Sequence, residues 1–322
     1  IANPDGSRNK NYTGSLDETF TCIARLGIDG CGFEQPLESM RRALNDSNPT
    51  NSGFIRPDAF LAIVLITDED DCSTEDTSMF DTSQTSISDP LGPLSSFRCF
   101  EFGVKCEPDD PRTPGPRQNC ESREDSAYMF SVQQYVDFLK GLKSDPNMVI
   151  VAGIIGNDTP VTVGSNDMAN PELDPSCVSA SGEADPGVRL KAFIDQFPQR
   201  GTVQTICNDD LSDALNVIAQ LLAKVIGNPC IEGNIDTNPS TPEIEPDCQV
   251  SDVRYPGELR QEETVLKQCS SATPDPSEFP CWRLEEDLTA CADTVTHLSL
   301  VVERGNGSVP TGTHTQLRCV TY

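Results

Sequence analysis

Four acidic residues follow the most hydrophobic stretch of this 322-residue chain. The run FLAIVLIT, residues 60–67, is followed at once by Asp68, Glu69, Asp70 and Asp71. Carboxylate oxygens gathered at one point are the ligands that hard divalent cations such as Mg²⁺ and Ca²⁺ prefer. The alternative interpretation is a buried strand that ends in a solvated acidic turn, which needs no ligand. The choice depends on where the fold places these carboxylates.

Strand-like and helix-like segments alternate through the first two-thirds of the chain. Strands are predicted at the apolar runs 59–67 and 148–156, and a shorter one at 202–206. Helical spacing of apolar residues predicts helices in segments 30–44, 126–142, 187–197 and 208–227. This alternation predicts an α/β fold with a Rossmann-like open parallel sheet flanked by helices. Such sheets bind ligands outside the carboxyl ends of their strands, where the acidic residues are expected.

The cysteine content indicates an oxidising compartment. The chain contains 14 cysteines and only two histidines, His297 and His314, so a mixed Cys/His zinc site upstream of His297 is excluded. The economical interpretation is up to seven disulfides, and we therefore expect a secreted or cell-surface protein. The disulfide candidates are Cys22, Cys31, Cys72, Cys99, Cys106, Cys120, Cys177, Cys207, Cys230, Cys248, Cys269, Cys281, Cys291 and Cys319.

The charge balance excludes some classes of partner. The chain has 51 acidic and 23 basic residues, for a formal net charge of −28. This field opposes binding to nucleic acid or to an anionic membrane, and it favours cations, basic partners or solubility alone. No apolar run approaches the roughly 18–20 residues that cross a bilayer, so we expect no transmembrane segment. The opening residues form a polar stretch, which indicates a mature or truncated piece of a protein.

Two regions depart from the strand–helix alternation. An insertion at about 72–124 is rich in Ser, Thr, Pro and Asp, and we expect disulfides rather than a core to hold it. Its four cysteines predict two local bridges, in any of three pairings. The cysteines and the alternating apolar residues of segment 229–322 predict a small disulfide-rich β module. Within it, we expect a hairpin that joins 296–305 to 315–322. We therefore expect two domains, with the boundary between 1–228 and this module.

Several segments resemble the von Willebrand factor A domain family. AIVLITDEDD is similar to the fourth strand of such a domain, and LGIDGCGFEQPLESMRRAL to the loop and helix that precede it. MVIVAGIIG and TICNDDLSDALNVIAQLLAKVI resemble the fifth strand and the sixth strand with its closing helix. More narrowly, GCGFEQPL, ITDEDDCS, SSFRCFEFG and CNDDLSDAL together are similar to cysteine-rich secreted bacterial proteins that contain this domain. The resemblance covers about residues 16–230.

The resemblance implies a divalent-cation site of the metal-ion-dependent adhesion type, with bound Mg²⁺ or Ca²⁺. In the family, this site combines an Asp-x-Ser-x-Ser motif after the first strand, a Thr in a second loop and an Asp after the fourth strand. Asp68 matches the last Asp. Ile28, Phe33 and Glu34 stand where the family has Thr, and Glu34 and Asp70 are further candidate oxygen ligands. No Asp-x-Ser-x-Ser follows an apolar strand in this chain, and the first three strands of the family fold would lie before residue 1.

A sheet that lacks these strands would expose apolar surface, so we expect a missing N-terminal segment or another chain of an oligomer to complete it. The implied function is that of a secreted or cell-surface binding and adhesion protein, without enzymatic activity, that engages a protein or surface macromolecule. The alternative is a structural subunit of an extracellular filament or surface coat, held by disulfides and inter-chain strand contacts. A Ser-His-Asp triad is disfavoured because both histidines lie in the C-terminal module.

Overall fold

A computed structural model describes most of the chain. The described residues are 10, 12–25, 30, 32–45, 49–56, 59–227, 230–231, 233–236, 238, 240, 245–254, 261–288, 291, 294–305 and 313–320. Two positions that the sequence singled out, Ile28 and Cys31, lie outside these residues. The α-helices are α1 (Leu16–Ala24), α2 (Pro36–Leu44), α3 (Phe97–Gly103), α4 (Val132–Gly141), α5 (Val188–Ile194) and α6 (Ser212–Gly227).

The strands form several separate sheets. Their bounds are β1 (Leu61–Ile66), β2 (Val104–Glu107), β3 (Gly115–Ser122), β4 (Val149–Ile155), β5 (Val161–Ser165), β6 (Pro171–Asp174), β7 (Cys177–Val178), β8 (Glu183–Ala184), β9 (Gly201–Thr205), β10 (Cys248–Arg254), β11 (Glu262–Gln268), β12 (Cys281–Glu286), β13 (Leu298–Glu303) and β14 (Thr313–Cys319). The protein is therefore a mixed α/β chain, as the sequence predicted at this level of detail.

A parallel sheet forms from β1, β4 and β9, with β4 in the centre. Every residue of β4 is buried, which explains its uninterrupted apolar sequence VIVAGII. Helices α2, α4 and α5 pack on one face of this sheet. Helix α6 packs on the other face, where Ala214 and Ile218 contact Ala152 and Ile154. The three strands predicted at 59–67, 148–156 and 202–206 are thus the strands of one sheet.

Capping side chains determine where two of these helices begin. Ser131 and Gln134 form a reciprocal capping box at the start of α4, each side chain accepting from the other residue's backbone N–H. Asp210 accepts from the backbone N–H of Ser212 at 2.9 Å, and α6 begins at Ser212. The helix predicted over 208–227 therefore starts four residues too early, because Asp210 caps the helix from outside it.

The insertion is held by a core as well as by disulfides. Its cysteines pair locally as Cys72–Cys99 and Cys106–Cys120, one of the three pairings left open by the sequence. Strand β3 pairs with β2 and β5, and β5 with β6, in a four-stranded antiparallel sheet. Phe97, Phe100 and Val104 pack against apolar residues of β5 and α5. The expectation that disulfides replace a core in this segment is wrong, because β5 supplies the missing apolar face.

A buried arginine organises the irregular part of the insertion. Arg98 is 1% exposed, and its guanidinium donates only to backbone carbonyls among the hydrogen bonds described for it. The acceptors are the carbonyl oxygens of Met79, Asp81, Gln84, Gly92 and Pro93. Irregular backbone that is partly buried must find such partners for its carbonyl groups. Arg98 therefore supplies the hydrogen-bond donors that the backbone N–H groups of helices and strands supply to carbonyls elsewhere.

The C-terminal residues build a five-stranded sheet in the order β13-β12-β11-β10-β14. The predicted hairpin is wrong, because β13 and β14 lie at opposite edges of this sheet. Strand β14 pairs with β10 instead, where Cys248 faces and bonds to Cys319 and Val250 packs on Leu317. A turn-like sequence between two strands does not decide pairing when a disulfide and a shared core favour another neighbour.

Six disulfides join twelve of the described cysteines. They are Cys72–Cys99, Cys106–Cys120, Cys177–Cys207, Cys230–Cys291, Cys248–Cys319 and Cys269–Cys281. Cys22 is exposed on α1 and forms no disulfide with a described residue. Within the described ranges, no helix combines the length and the hydrophobicity needed to cross a membrane.

Candidate functional site

The chain turns sharply at the end of β1. The hydroxyl oxygen of Thr67 accepts from the backbone N–H of Glu69 at 3.2 Å, and this bond starts the turn. The carbonyl of Asp68 then accepts from the N–H of Asp185 at 2.8 Å, which ties the loop to the segment before α5. As a result, the side chain of Asp68 is exposed and that of Glu69 is partly buried.

Asp70 acts as a cap on α5. Its two carboxylate oxygens accept from the backbone N–H groups of Arg189 and Leu190, at 2.9 and 3.0 Å. A helix N-terminus carries unpaired N–H groups and a partial positive charge, so it stabilises a carboxylate there. Burial nevertheless raises the pKa of Asp70 to about 6. Both carboxylate oxygens of Asp70, a candidate metal ligand in the sequence, thus accept hydrogen bonds from backbone N–H groups.

Asp71 is fully buried and joins three parts of the fold. It accepts from the backbone N–H of Leu37 at 3.1 Å, from the hydroxyl of Ser73 at 2.6 Å, and from the guanidinium of Arg189 at 3.2 Å. Arg189 is also fully buried, so each charge compensates the other. Leu37 lies in the first turn of α2, so Asp71 fixes α2 and α5 to the exit of β1. The expectation of a solvated turn is therefore wrong for Asp70 and Asp71.

Glu34 and Asp68 line the same groove, which has a volume of about 700 Å³. The carbonyl of Glu34 accepts from the N–H of Cys72 at 2.7 Å, which places the second loop beside the exit of β1. Phe33 packs edge-on against Phe80, with ring centroids 4.9 Å apart, and forms part of the floor. The structure thus brings together Glu34 and Asp68, two of the residues that the resemblance selected.

A small pocket beside this groove is lined by Glu69 and Asp185, whose carboxylates interact with those of Glu34 and Asp68. The pKa of Glu69 is raised to about 7, first by burial and then by the charges of Asp185, Glu34 and Asp68. The pKa of Asp185 is raised to about 6 by burial and by nearby acidic side chains, among them Asp68. A proton binds Glu69 and Asp185 more tightly than it binds a carboxylate in water, because it removes a buried charge and relieves the repulsion between neighbouring carboxylates. A cationic group placed in the groove would be stabilised for the same reason.

The described side chains do not form a complete divalent-cation site. Mg²⁺ and Ca²⁺ take six or more oxygen ligands. Among the residues that the structure describes, no three or more His, Cys, Asp or Glu side chains are arranged to hold a metal ion. The carboxylate of Asp70 accepts hydrogen bonds at the start of α5, and that of Asp71 pairs with Arg189. Of the acids that the sequence selected, only the exposed Asp68 and its groove neighbour Glu34 remain as oxygen ligands for a metal ion. The donor set therefore does not fit the adhesion-type site that the resemblance implies.

Two residues of the site were missed by the sequence reasoning. Asp185 adds a carboxylate next to Glu69, in a small pocket beside the groove, and Arg189 neutralises Asp71. Both belong to the stretch EADPGVRL at the start of α5. The Pro-Gly pair after Asp185 signals a turn before a helix, yet no local pattern indicates that this turn meets the end of β1.

Comparisons with known proteins identify no relative of this chain. No protein-family model matches it. No curated protein and no solved structure matches it either. The likeness to the von Willebrand factor A family accordingly rests on the quoted sequence segments alone.

Proposed function

We propose that the chain is an extracellular binding protein of the von Willebrand factor A type, without enzymatic activity, that engages a protein or surface macromolecule. The binding surface is the acidic groove at the carboxyl end of β1, and it takes up cationic groups of the partner. The observation that carries this proposal is the collection of carboxylates at this edge of the sheet. Glu34 and Asp68 line the groove, Glu69 and Asp185 line a small pocket beside it, and burial together with the charges of the other three raises the pKa of Glu69 to about 7.

The location of the groove supports the proposal. Open parallel sheets bind ligands outside the carboxyl ends of their strands. Asp68 follows β1 directly and lines the groove together with Glu34, while Arg42 in the same groove is paired with Glu38. Placing a partner's Lys or Arg between the carboxylates removes the repulsion that the free protein carries. Charge pairs of this kind contribute to specificity and to the rate of association.

The disulfides support an extracellular location. Six of them are distributed over the insertion, the segment after β6 and the C-terminal sheet. Disulfides in such number persist in oxidising environments and are reduced in the cytosol of most organisms. The order of β1, β4, β9 and α6 along the chain supports the family assignment, and Asp68 stands at the matching position. The proposal includes no step through a metal ion, because the described donors do not complete a site.

A charge-matched comparison tests the proposal. The probe is a tetra-arginine peptide, and its binding to the intact chain is measured by surface plasmon resonance in physiological salt. The groove variant is Glu34→Gln with Asp68→Asn. The control variant is Glu121→Gln with Asp125→Asn, two exposed acids at the end of the insertion and just after it, which changes the net charge equally. We expect the groove variant to bind at least about tenfold more weakly, roughly 1.4 kcal/mol, and the control to bind nearly normally. Equal losses in both variants would show general attraction to an acidic protein and would overturn the proposal.

A second candidate function is favoured by a different observation. Strand β1 pairs with β4 on one side, and no described residue pairs with its other side. Unpaired strand edges join chains into assemblies. A structural subunit of a filament or surface coat would use such an edge. Light scattering of the purified chain tests this candidate, because a monodisperse monomer at high protein concentration contradicts it.

A further inference from the structure

The small pocket beside the acidic groove is lined by a peptide bond of a chemically labile type. Asp185 and Pro186, which share this bond, both face the pocket, together with Glu69. In an Asp–Pro pair, the side-chain carboxylate can attack its own carbonyl carbon and form a cyclic anhydride. The leaving nitrogen belongs to a tertiary amide, which takes up a proton more readily than other backbone nitrogens. Asp–Pro bonds are therefore the most acid-labile peptide bonds of a polypeptide.

The pocket is too small for an external substrate. Its volume is about 20 Å³, which is room for about one water molecule. Sites for small-molecule ligands have volumes of about 300 Å³ or more. Chemistry in this pocket therefore acts on the chain's own bonds, with water as the co-reactant.

The acids of the pocket have different partners. Asp70 accepts from the backbone N–H of Arg189, and Asp71 pairs with the guanidinium of Arg189. Both are thereby held as carboxylates at the start of α5. Glu69 and Asp185 are the acids of the pocket that remain for proton transfer.

Asp185 differs from the other aspartates that precede a proline. Such pairs occur with the aspartate at positions 89, 110, 145, 174, 185 and 275. Four of the others accept a hydrogen bond on a side-chain oxygen, namely Asp89, Asp110, Asp145 and Asp275. Asp174 is exposed to solvent. Among the described residues, none donates a hydrogen bond to the carboxyl group of Asp185, so this group can turn onto its own carbonyl carbon.

Burial and acidic neighbours keep protons in this pocket. Burial raises the pKa of Asp185 to about 6, with further contributions from the charges of Glu183 in β8, Asp68 after β1 and Glu172 in β6. The pKa of Glu69 is raised to about 7, again first by burial. The proton that the leaving nitrogen requires is therefore present near pH 6, where an exposed carboxyl group has lost it.

The backbone on both sides of the bond is held in place. The N–H of Asp185 donates to the carbonyl of Asp68 at 2.8 Å, and the N–H of Gly187 donates to that of Asn157 at 3.2 Å. A Cβ atom at Gly156 would lie 2.0 Å from the carbonyl oxygen of Asp185, so glycine permits this close approach. The carbonyl group is thus fixed beside the pocket, which favours an intramolecular reaction.

We propose that the folded chain cleaves its own Asp185–Pro186 bond in mildly acidic conditions. A carboxylate oxygen of Asp185 attacks the carbonyl carbon of the same residue. The C–N bond to Pro186 breaks, and the nitrogen leaves with the proton of Glu69. One water molecule opens the anhydride at Asp185 to a carboxylate and a carboxylic acid, and the acid returns a proton to Glu69. The reaction occurs once per chain, and it goes beyond the proposed binding function and does not depend on it.

A disulfide keeps the two products together. Cys177 and Cys207 lie on opposite sides of the bond and are joined to each other. The pieces 1–185 and 186–322 therefore separate only after reduction. The secondary amine left at Pro186 is cationic and lies among the carboxylates of the pocket, which stabilises the product.

Mass spectrometry of the full chain, incubated at pH 5 and at pH 8, tests the proposal. At pH 5 we expect the unreduced mass to rise by one water molecule, and reduction to release 1–185 and 186–322. The other five Asp–Pro bonds are internal controls, and we expect bond 185–186 to break at least about tenfold faster than any of them. In urea, all six are expected to break at similar rates. Equal rates in the folded protein would overturn the proposal, as would an intact 185–186 bond when the unfolded chain has been cut.

Variants and a trap identify the reaction. Asp185→Asn removes the attacking carboxylate, and Pro186→Ala makes the leaving nitrogen a secondary amide, so we expect each to abolish cleavage at this bond. Asp275→Asn is the matched control and leaves it unchanged. If Asp185→Asn does not fold, Pro186→Ala provides the same test. Unchanged cleavage in a folded Asp185→Asn or Pro186→Ala protein would overturn the proposal.

Hydroxylamine, added during incubation at pH 5, is expected to convert the anhydride to a hydroxamic acid at residue 185. Glu69→Gln is expected to slow cleavage at pH 6 more than at pH 4, where the solvent supplies the proton. The rate is expected to be independent of protein concentration. A rate that rises with concentration, or a fragment 1–185 without the hydroxamic acid, would show cleavage by another molecule and would overturn the proposal.

Discussion

Replacement of Glu69 by Gln most directly tests the electrostatics of the carboxylates at and beside the acidic groove. In the folded protein, burial and the charges of Asp185, Glu34 and Asp68 raise the pKa of Glu69 from 4.5 to about 7. The folded state therefore binds this proton more tightly than the unfolded state. As the pH rises from about 4.5 to about 7, the unfolded chain ionises first, and the free energy of unfolding falls. Above pH 7 the whole cost of the buried charge is present.

The size of the effect follows from the two pKa values. They differ by roughly 2.5 pH units, which corresponds to about 3.4 kcal/mol at 1.36 kcal/mol per unit. Glu69 is only partly buried, so solvent screening reduces this to about 1–2 kcal/mol. Gln has nearly the same shape and no charge. We therefore expect Glu69→Gln to raise the free energy of unfolding by about 1–2 kcal/mol at pH 8 and to change it little at pH 4.

Urea denaturation with intact disulfides, at pH 4, 6 and 8, measures this difference. Glu121→Gln is the matched control, because Glu121 is exposed on β3, outside the groove. We expect the control to follow the pH profile of the unmodified protein, and Glu69→Gln to have a flatter one. A Glu69→Gln profile that runs parallel to that of the unmodified protein would show that burial and the neighbouring carboxylates do not raise the pKa of Glu69, and it would refute this reasoning.

Three further changes probe the residues around the groove and the insertion. Asp71→Asn leaves Arg189 buried without a counter-charge, so we expect a loss of about 3–5 kcal/mol in urea denaturation, whereas Asp71→Glu keeps the charge and loses less. Arg98→Met leaves several buried carbonyls unpaired, and hydrogen exchange is expected to accelerate between residues 79 and 93 while β4 stays protected. Millimolar Ca²⁺ or Mg²⁺ is expected to shift the melting temperature by less than about 1 °C. A shift of several degrees that Asp68→Ala abolishes would show that Asp68 does belong to a functional divalent-cation site.

Local sequence was sufficient to predict the strands of the parallel sheet. A strand covered on both faces needs an apolar side chain at every position, so the burial of β4 is visible in the run 148–156 itself. The two bridges of the insertion were also predictable in number, since its cysteines are few and close along the chain. Their pairing was not predictable, because all three combinations satisfy the same spacing.

The unpaired edge of β1 was anticipated only as a consequence of the family resemblance. The sequence shows that the run 59–67 is apolar, but it does not show which side of a strand has a neighbour. That depends on the order of strands in the sheet, in which β4 takes the centre and β1 an edge.

The sequence by itself determined that four acidic residues, 68–71, directly follow a strongly apolar strand, and that the chain is rich in cysteines able to form disulfides. Only the tertiary structure decided that these residues have different roles. Asp68 reaches the groove, whereas Asp71 pairs with Arg189, which lies 118 residues away along the chain. The energy of a carboxylate depends on the charges, the N–H groups and the solvent within a few ångströms of it. Those neighbours come from distant segments, so the role of each acid is set by the fold and not by its place in the sequence.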